Sequence, residues 1–196
     1  MTDAVGEKHH RRSIRLAGYD YSQAGAYFVT VCGHDRICIF GNIADGEMRL
    51  NDAGKIVHDE WLRTADIRPN MELDAFVVMP NHFHGIIVLH GRGVLQYAPT
   101  QYAPTQCAQT TINRTPQLRS PSQTIGAIVR GFKSAVTKRI NEIRHTPGAA
   151  VWQRNYYEHI IRNDESLNRI REYIMTNPIR WEEDEENPNG KRQEKK

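Results

Sequence analysis

The segment MPNHFHGIIVL, residues 79–89, sets two histidines around one phenylalanine at the entrance of an apolar, β-branched run. Successive strand side chains point to opposite faces, so His82 and His84 point the same way and their imidazoles can converge on one cation. A His-x-His pair alone is equally what two structural histidines at a strand entrance would leave. It gains meaning with a third ligand and a reactive group, and REYIMTNPIRW, residues 171–181, offers both. Tyr173 and Asn177 are spaced i, i+4 and share one helical face, with Tyr173 at the edge of a Leu167, Ile170, Ile174 stripe. Read by themselves they are also a core-edge tyrosine and an asparagine ending a helix ahead of Pro178.

The elements that must position these residues follow from pattern. Tyr27 to Cys32 is rich in aromatic and β-branched residues and reads as a strand, and ICIFG is predicted to return beside it as a hairpin partner. NDAGKIVHDEWLRTAD is an amphipathic helix with Ala53, Ile56, Val57, Trp61 and Leu62 near one face. LDAFVVMP and HFHGIIVLH are two further strands around the Pro80–Asn81 turn. SQTIGAIVRGFKSAVTKRINEIR is the clearest helix, its stripe running Ile125, Val129, Phe132, Val136, Ile140, Ile143. VWQRNYYEHII, residues 151–161, reads as a last strand, and NDESLNRIREYIMTNP as a final helix capped by Asn163 or Asp164. The order β–β–α–β–β–linker–α–β–α predicts an α+β fold, an antiparallel sheet with helices against it. A tandem QYAPTQYAPTQ lies inside a Gly/Pro/Thr/Gln-rich insertion at about 91–122, expected to be a flexible loop. The expected layout is a basic arm over 1–25, one domain over 26–181 and a disordered charged tail over 182–196.

With 196 residues, 39% hydrophobic and 25% charged, the chain is long and apolar enough for one globular core. No apolar run reaches the length of a membrane span and the first residues lack the apolar centre of a signal peptide, so a cytoplasmic protein without a membrane partner is expected. Cys32, Cys38 and Cys107 form no CxxC pair, against a disulfide framework or a cysteine zinc site. Net charge is only +3, but no Asp or Glu occurs from Ala75 to Asn141, while Arg92, Arg114, Arg119, Arg130, Lys133, Lys138 and Arg139 do. A basic, acid-free middle suits a polyanion such as nucleic acid. Arg130 and Lys133 on the long helix, with Arg154, are candidates for tracking a DNA backbone. Arg11, Arg12 and Arg15 of the arm are candidates for reading base edges or phosphates. Tyr156 and Tyr157 fit base stacking and core packing equally well. No Walker-type phosphate loop is present.

MPNHFHGIIVL followed by REYIMTNPIRW resembles the REP-associated tyrosine transposases, relatives of single-tyrosine insertion-sequence transposases in the HUH nuclease superfamily. RRSIRLAGYDYSQAGAYFVTVCGHDR resembles that family's opening and VWQRNYYEHIIRNDE its closing strand, whereas the QYAPT repeat has no counterpart in its pattern. The resemblance implies an antiparallel sheet of ferredoxin-like topology with helices on its faces. It implies Tyr173 as nucleophile, and His82, His84 and Asn177 as ligands of Mg²⁺ or Mn²⁺; by ligand type alone, manganese or zinc fit as well. The implied activity is cleavage and rejoining of single-stranded DNA at repetitive extragenic palindromic hairpins, through a 5′-phosphotyrosine, by a monomer or homodimer. The alternative is a non-catalytic module of the same fold that binds structured nucleic acid.

Overall fold

The structure is a computed structural model that describes residues 19–90 and 124–190. Its frame is a four-stranded antiparallel sheet in the order β4-β5-β1-β6, made from β1 (Gly25–Cys32), β4 (Met71–Val78), β5 (His82–Leu89) and β6 (Tyr157–Ile161). Helix α1 (Asp52–Asp66) joins β1 to β4 and helix α2 (Ile125–Arg144) joins β5 to β6. With the edge strands coming from the middle and end of this unit, the arrangement is the ferredoxin-like topology, to which helix α3 (Asp164–Thr176) is added.

Strand alternation divides the molecule into two cores. Tyr27, Val29, Val31, Phe83, Ile87 and Leu89 face α1 and α2, whose Val57, Trp61, Val129, Phe132 and Val136 complete the larger core. Ala26, Phe28, Ile86 and Ile161 face the other way, against Leu167, Ile170 and Ile174 of α3. His82 and His84 belong to this second face by the period-two rule. The helix boundaries have local causes: the side chains of Asn51, Thr124 and Asn163 each accept a backbone N–H of the first turn. Gly85 is required by the larger core, because a Cβ there would lie 2.6 Å from the Trp61 ring.

Several sequence expectations are corrected. ICIFG is not a strand: Phe40 N–H donates to Pro80 O and Phe40 O accepts from Asn51 N–H, which holds this run against the turn before β5. The hairpin is instead the separate pair β2 (Gly41–Ala44) and β3 (Glu47–Leu50). Its turn is Asp45–Gly46, both with positive φ, the Asp-Gly signature of a tight hairpin. The strand expected over 151–161 is confined to Tyr157–Ile161, with only a bridge from Trp152 to Gly33 upstream. Leu62 and Ile143 are exposed, and Glu60 and Thr64 take buried places on α1. Ion pairs of Glu60 with Arg63 and Arg139 make that burial tolerable. The tail expected to be disordered is ordered over 182–190: a short 3₁₀ turn, Trp181–Glu183, leads Asp184 into the second face. Arg11, Arg12, Arg15 and the 91–122 insertion lie outside the described residues, whereas Tyr19 and Tyr21, assigned to the arm, pack on the larger core.

Helix α3 is tied to the sheet by charge as well as by apolar contact. β4 has an irregularity between Leu73 and Phe76, where Asp74 turns out of the ladder towards the helix. Arg171 grips it with two bonds, Nε to Oδ1 at 2.8 Å and Nη2 to Oδ2 at 2.5 Å. Burial would raise the Asp74 pKa, but the Arg171 bonds and the Ala75 N–H outweigh it and hold the carboxyl below its ordinary value of 3.8. The folded-state pKa is thus depressed, so the stabilisation is present above the unfolded pKa and disappears as pH falls through the folded one. Asp74→Asn should cost about 1–3 kcal/mol at pH 7. In urea melts the gap between native and variant proteins should close below about pH 4, and a gap independent of pH would refute the ion-pair account.

Candidate active site

β5 enters the sheet at His82, so both histidines sit where the strand meets the second face, 0% and 3% exposed. Their rings lie 4.5 Å apart between centroids. Each Nδ1 has an oxygen partner: Asn81 Oδ1 at 2.9 Å for His82 and Thr30 Oγ1 at 2.8 Å for His84. The amide nitrogen of Asn81 donates to the carbonyls of Arg36 and Glu186, which fixes its oxygen as the acceptor and makes His82 Nδ1 the donor. His82 Nε2 is then a bare lone pair, and it is buried without a hydrogen-bond partner among the described residues. Burial pushes both imidazole pKa values down; at His84 the charge His82 would carry adds to this, while Asp184 and the Asn177 side chain oppose it at His82. Both rings are therefore neutral at neutral pH, the state that binds a cation.

Helix α3 delivers the other two expected residues. The Tyr173 hydroxyl is 3.2 Å from His84 Nε2, and its ring lies edge-on to both His84 and Phe28. Asn177, 3% exposed, caps the helix; its Nδ2 donates to Asp184 Oδ2 at 3.0 Å while its Oδ1 is buried and unpartnered. Burial, reinforced by the Asp184 charge, pushes the Tyr173 pKa up to about 12. His82, His84, Tyr173 and Asn177, singled out in the sequence at positions up to 95 apart, are thus brought to one place.

Asp184 was missed. Its Oδ2 is 3.8 Å from His82 Nε2, and with the two histidines it forms a group of potential ligand atoms all within 4.8 Å of one another. It arrives in an acid-rich run that looked like solvated tail, and no spacing in the sequence links it to His82. The lone pairs of His82 Nε2 and Asn177 Oδ1, with no other use, and the adjacent Asp184 carboxylate fit a divalent cation held by nitrogen and oxygen.

The site opens into a cleft of about 600 Å³ lined by Phe28, Thr30, His84, Tyr157, Tyr173 and Asn177, with Glu183, Asp184, Glu185 and Glu186 along one wall. The proposed DNA-contacting residues are distributed differently. Arg130 is exposed on α2, behind the sheet from the histidines. Lys133 Nζ donates to the carbonyls of Gln153, Arg154 and Asn155 and so holds the loop ahead of β6. Arg154 is exposed between Gln153 and Asn155, two residues that line the cleft. Tyr156 donates to Glu158 Oε2 at 2.6 Å, and Tyr157 stands at the cleft wall; neither is in contact with a histidine in the way Tyr173 is. No helix among the described residues is long and apolar enough to cross a membrane.

No protein-family model matches the chain. Among solved structures, a REP-associated tyrosine transposase bound to a REP hairpin superposes with a TM-score of 0.54 at 19% identity, covering 85% of this chain and 74% of that one. At that identity the likeness speaks for the fold. An uncharacterised protein of Haemophilus influenzae is 45% identical over 177 residues, 90% of this chain and 93% of the relative. The chain therefore belongs to one family with this Haemophilus influenzae protein, on the fold that a REP-associated tyrosine transposase also adopts.

Proposed function

We propose that this chain is a metal-dependent endonuclease and strand transferase for single-stranded DNA, acting at repetitive extragenic palindromic hairpins through a 5′-phosphotyrosine on Tyr173. The observation that carries the reading is the Tyr173 hydroxyl 3.2 Å from His84 Nε2, beside the unpartnered His82 Nε2 and Asn177 Oδ1. A merely structural tyrosine has no need of two neighbouring buried ligand atoms left without hydrogen bonds, each costing about 1–3 kcal/mol.

His82, His84 and Asn177 would hold the ion, Mg²⁺ or Mn²⁺, with the Asp184 carboxylate as a further oxygen. That carboxylate departs from an all-neutral ligand set and would offset part of the ion's charge. When bound, the cation supplies Lewis-acid stabilisation of the charge on the scissile phosphate and a positive field for the phenol. The chain's own residues do the rest. Asn81 and Thr30 fix the imidazole orientations so that both Nε2 atoms face α3. The hydroxyl of Tyr173 must give up its bond to His84 Nε2 to face a phosphate. Its oxygen then forms the new bond to phosphorus as the bond to the 3′-oxygen breaks; the phenol proton leaves to cleft water and the departing 3′-oxygen takes one up. The phosphotyrosine conserves the phosphodiester's energy, so a 3′-hydroxyl can reverse the step and join strands without ATP. Arg154 beside the cleft, and the arm residues Arg11, Arg12 and Arg15, are proposed to hold phosphates, with Arg130 and Lys133 acting farther from the chemistry.

Incubation with a labelled stem–loop oligonucleotide and Mg²⁺ or Mn²⁺ should give a covalent adduct that survives a denaturing gel. Its nucleotide should map by mass spectrometry to the peptide containing REYIMTNPIR. Tyr173→Phe keeps the ring and removes one oxygen, so the melting temperature and stem–loop affinity should persist while the adduct vanishes. An adduct on Tyr156 or Tyr157 would end the assignment, and stem–loop binding with no adduct at all would leave the non-catalytic reading.

Metal binding can be read separately from cleavage. Manganese titrated into the DNA-free protein should bind stoichiometrically, and His84→Ala should abolish the binding. Thr30→Val preserves shape but removes the partner of His84 Nδ1, and should weaken manganese about 10- to 100-fold. Unaltered affinity in His84→Ala would place the ion elsewhere.

A further inference from the structure

The cleft lining runs past His84 to aromatic residues at β6. Tyr157, His159 and Ile161 of β6 share the second sheet face, and Tyr157 pairs across the sheet with Thr30, which in turn pairs with His84. Tyr157, Thr30 and His84 thus form one row, with Tyr157 two strand spacings, about 10 Å, from the histidine. Phe28 floors the space between: its ring stacks on His84 at 5.3 Å and meets Tyr157 edge-on at 6.5 Å and Tyr173 edge-on at 6.2 Å.

Tyr157 is the odd member of this set. Phe28 is 8% exposed and serves as core, but Tyr157 is 45% exposed although it sits in a strand against the catalytic face. Its hydroxyl has no hydrogen-bond partner among the described residues. The cleft lining beside it includes Gln153 and Asn155, on the loop that the Lys133 ammonium holds by three carbonyls. A flat, half-open ring beside two amides is a surface for a planar heterocycle: the face stacks, and amides hydrogen-bond to base edges. The Phe28 and Tyr157 rings offer no charge to a phosphate, whereas the charged groups lining the cleft belong to its other part, where Arg180 pairs with Glu183 and Glu186 pairs with Arg36. A strand entering the site is therefore turned with its bases, not its backbone, towards the Phe28–Tyr157 floor.

We propose that Tyr157 is the stacking platform of a nucleobase subsite, taking one unpaired base next to the phosphate held at His82 and His84, with Gln153 and Asn155 at that base's edge. This rests on the nuclease reading above and adds to it where the strand runs. The subsite lies on the β6 side of the histidines and accepts only single-stranded DNA, because in a duplex the faces of a base are covered by its stacked neighbours and its pairing edge by its partner.

The test uses the full chain in the Tyr173→Phe background, so that binding is read without cleavage. The probe is a stem–loop oligonucleotide with single-stranded flanks carrying 2-aminopurine at each unpaired position in turn. One position should show strong quenching on binding, retained in Tyr157→Phe and lost in Tyr157→Ala. Loss of one stacked base is worth about 1–3 kcal/mol, so Tyr157→Ala should weaken binding about 5- to 100-fold. An abasic nucleotide at the quenched position should weaken the parent protein equally, yet cost the Tyr157→Ala protein nothing more. Tyr157→Leu, which keeps an apolar contact with Phe28, should behave as Tyr157→Ala with an unchanged melting temperature; this separates stacking from packing. Full affinity in Tyr157→Leu, or independent losses from the abasic site and the substitution, would overturn the subsite while leaving the nuclease reading intact. Failure of the unsubstituted chain to bind any stem–loop would overturn both.

Discussion

Two imidazoles buried side by side on a sheet face, with their Nε2 lone pairs turned towards one helix, are the constraint around which the second face is built. Burial alone would make each ring a liability, since a buried polar group without a partner is costly. The fold answers half of that cost and leaves the other half open. Thr30 and Asn81 satisfy the Nδ1 atoms, and Asn81 is itself locked by two backbone carbonyls. On the other side, among the described residues His82 Nε2 and Asn177 Oδ1 have no hydrogen-bond partner, and His84 Nε2 meets the Tyr173 hydroxyl. The satisfied atoms orient the rings and the unsatisfied ones lie close together, an asymmetry that costs stability and fits ligation of a cation.

This arrangement depends on the Tyr173 hydroxyl and the Asn177 amide riding on one helix. Residues i and i+4 are neighbours along a helical face, so a single docking of α3 sets both Tyr173 and Asn177 against the histidines. The docking is in turn secured at two levels, by Leu167, Ile170 and Ile174 on the sheet and by the Arg171–Asp74 pair near the catalytic end. A helix held by its apolar stripe alone can slide or roll on a flat sheet. A bidentate ion pair two residues before Tyr173 removes that freedom, because both partners have fixed geometry.

The site was legible to the extent that it is local. His82 and His84 follow from period two and Tyr173 with Asn177 from i, i+4; the sheet and all three helices follow from apolar spacing and capping residues. The resemblance to HUH transposases joined the two halves, which no spacing could do. What escaped has physical reasons. The β2–β3 hairpin was displaced because ICIFG has strand composition, although tertiary bonds to Pro80 and Asn51 decide its conformation. Asp184 escaped because a run of carboxylates has the composition of a solvated tail; its place is set by the nearby Asn177 amide, and by Asn81 and Arg36, distant in sequence, which hold Glu186 two residues on. Uniform basicity of the middle of the chain was likewise a poor guide to place, since Arg130 and the histidines ended on opposite sides of the sheet.

The placement of charge then bears on how a polyanion is met. The basic residues of α2 and the 153–155 loop lie behind and beside the sheet, while the cleft itself is lined by Glu183 to Glu186 and by Arg180, with Glu183 paired to Arg180 and Glu186 to Arg36. An acidic wall repels a backbone laid along it, but the same negative potential concentrates divalent cations near His82 and His84. On the proposed reading, the carboxylates favour an ion beside the histidines, and a strand would gain its affinity from the aromatic floor, from Arg180 within the cleft and from basic residues outside it. On that reading, one phosphate would approach the histidines while the neighbouring bases face the aromatic floor, a geometry open to a flexible strand and closed to a regular duplex.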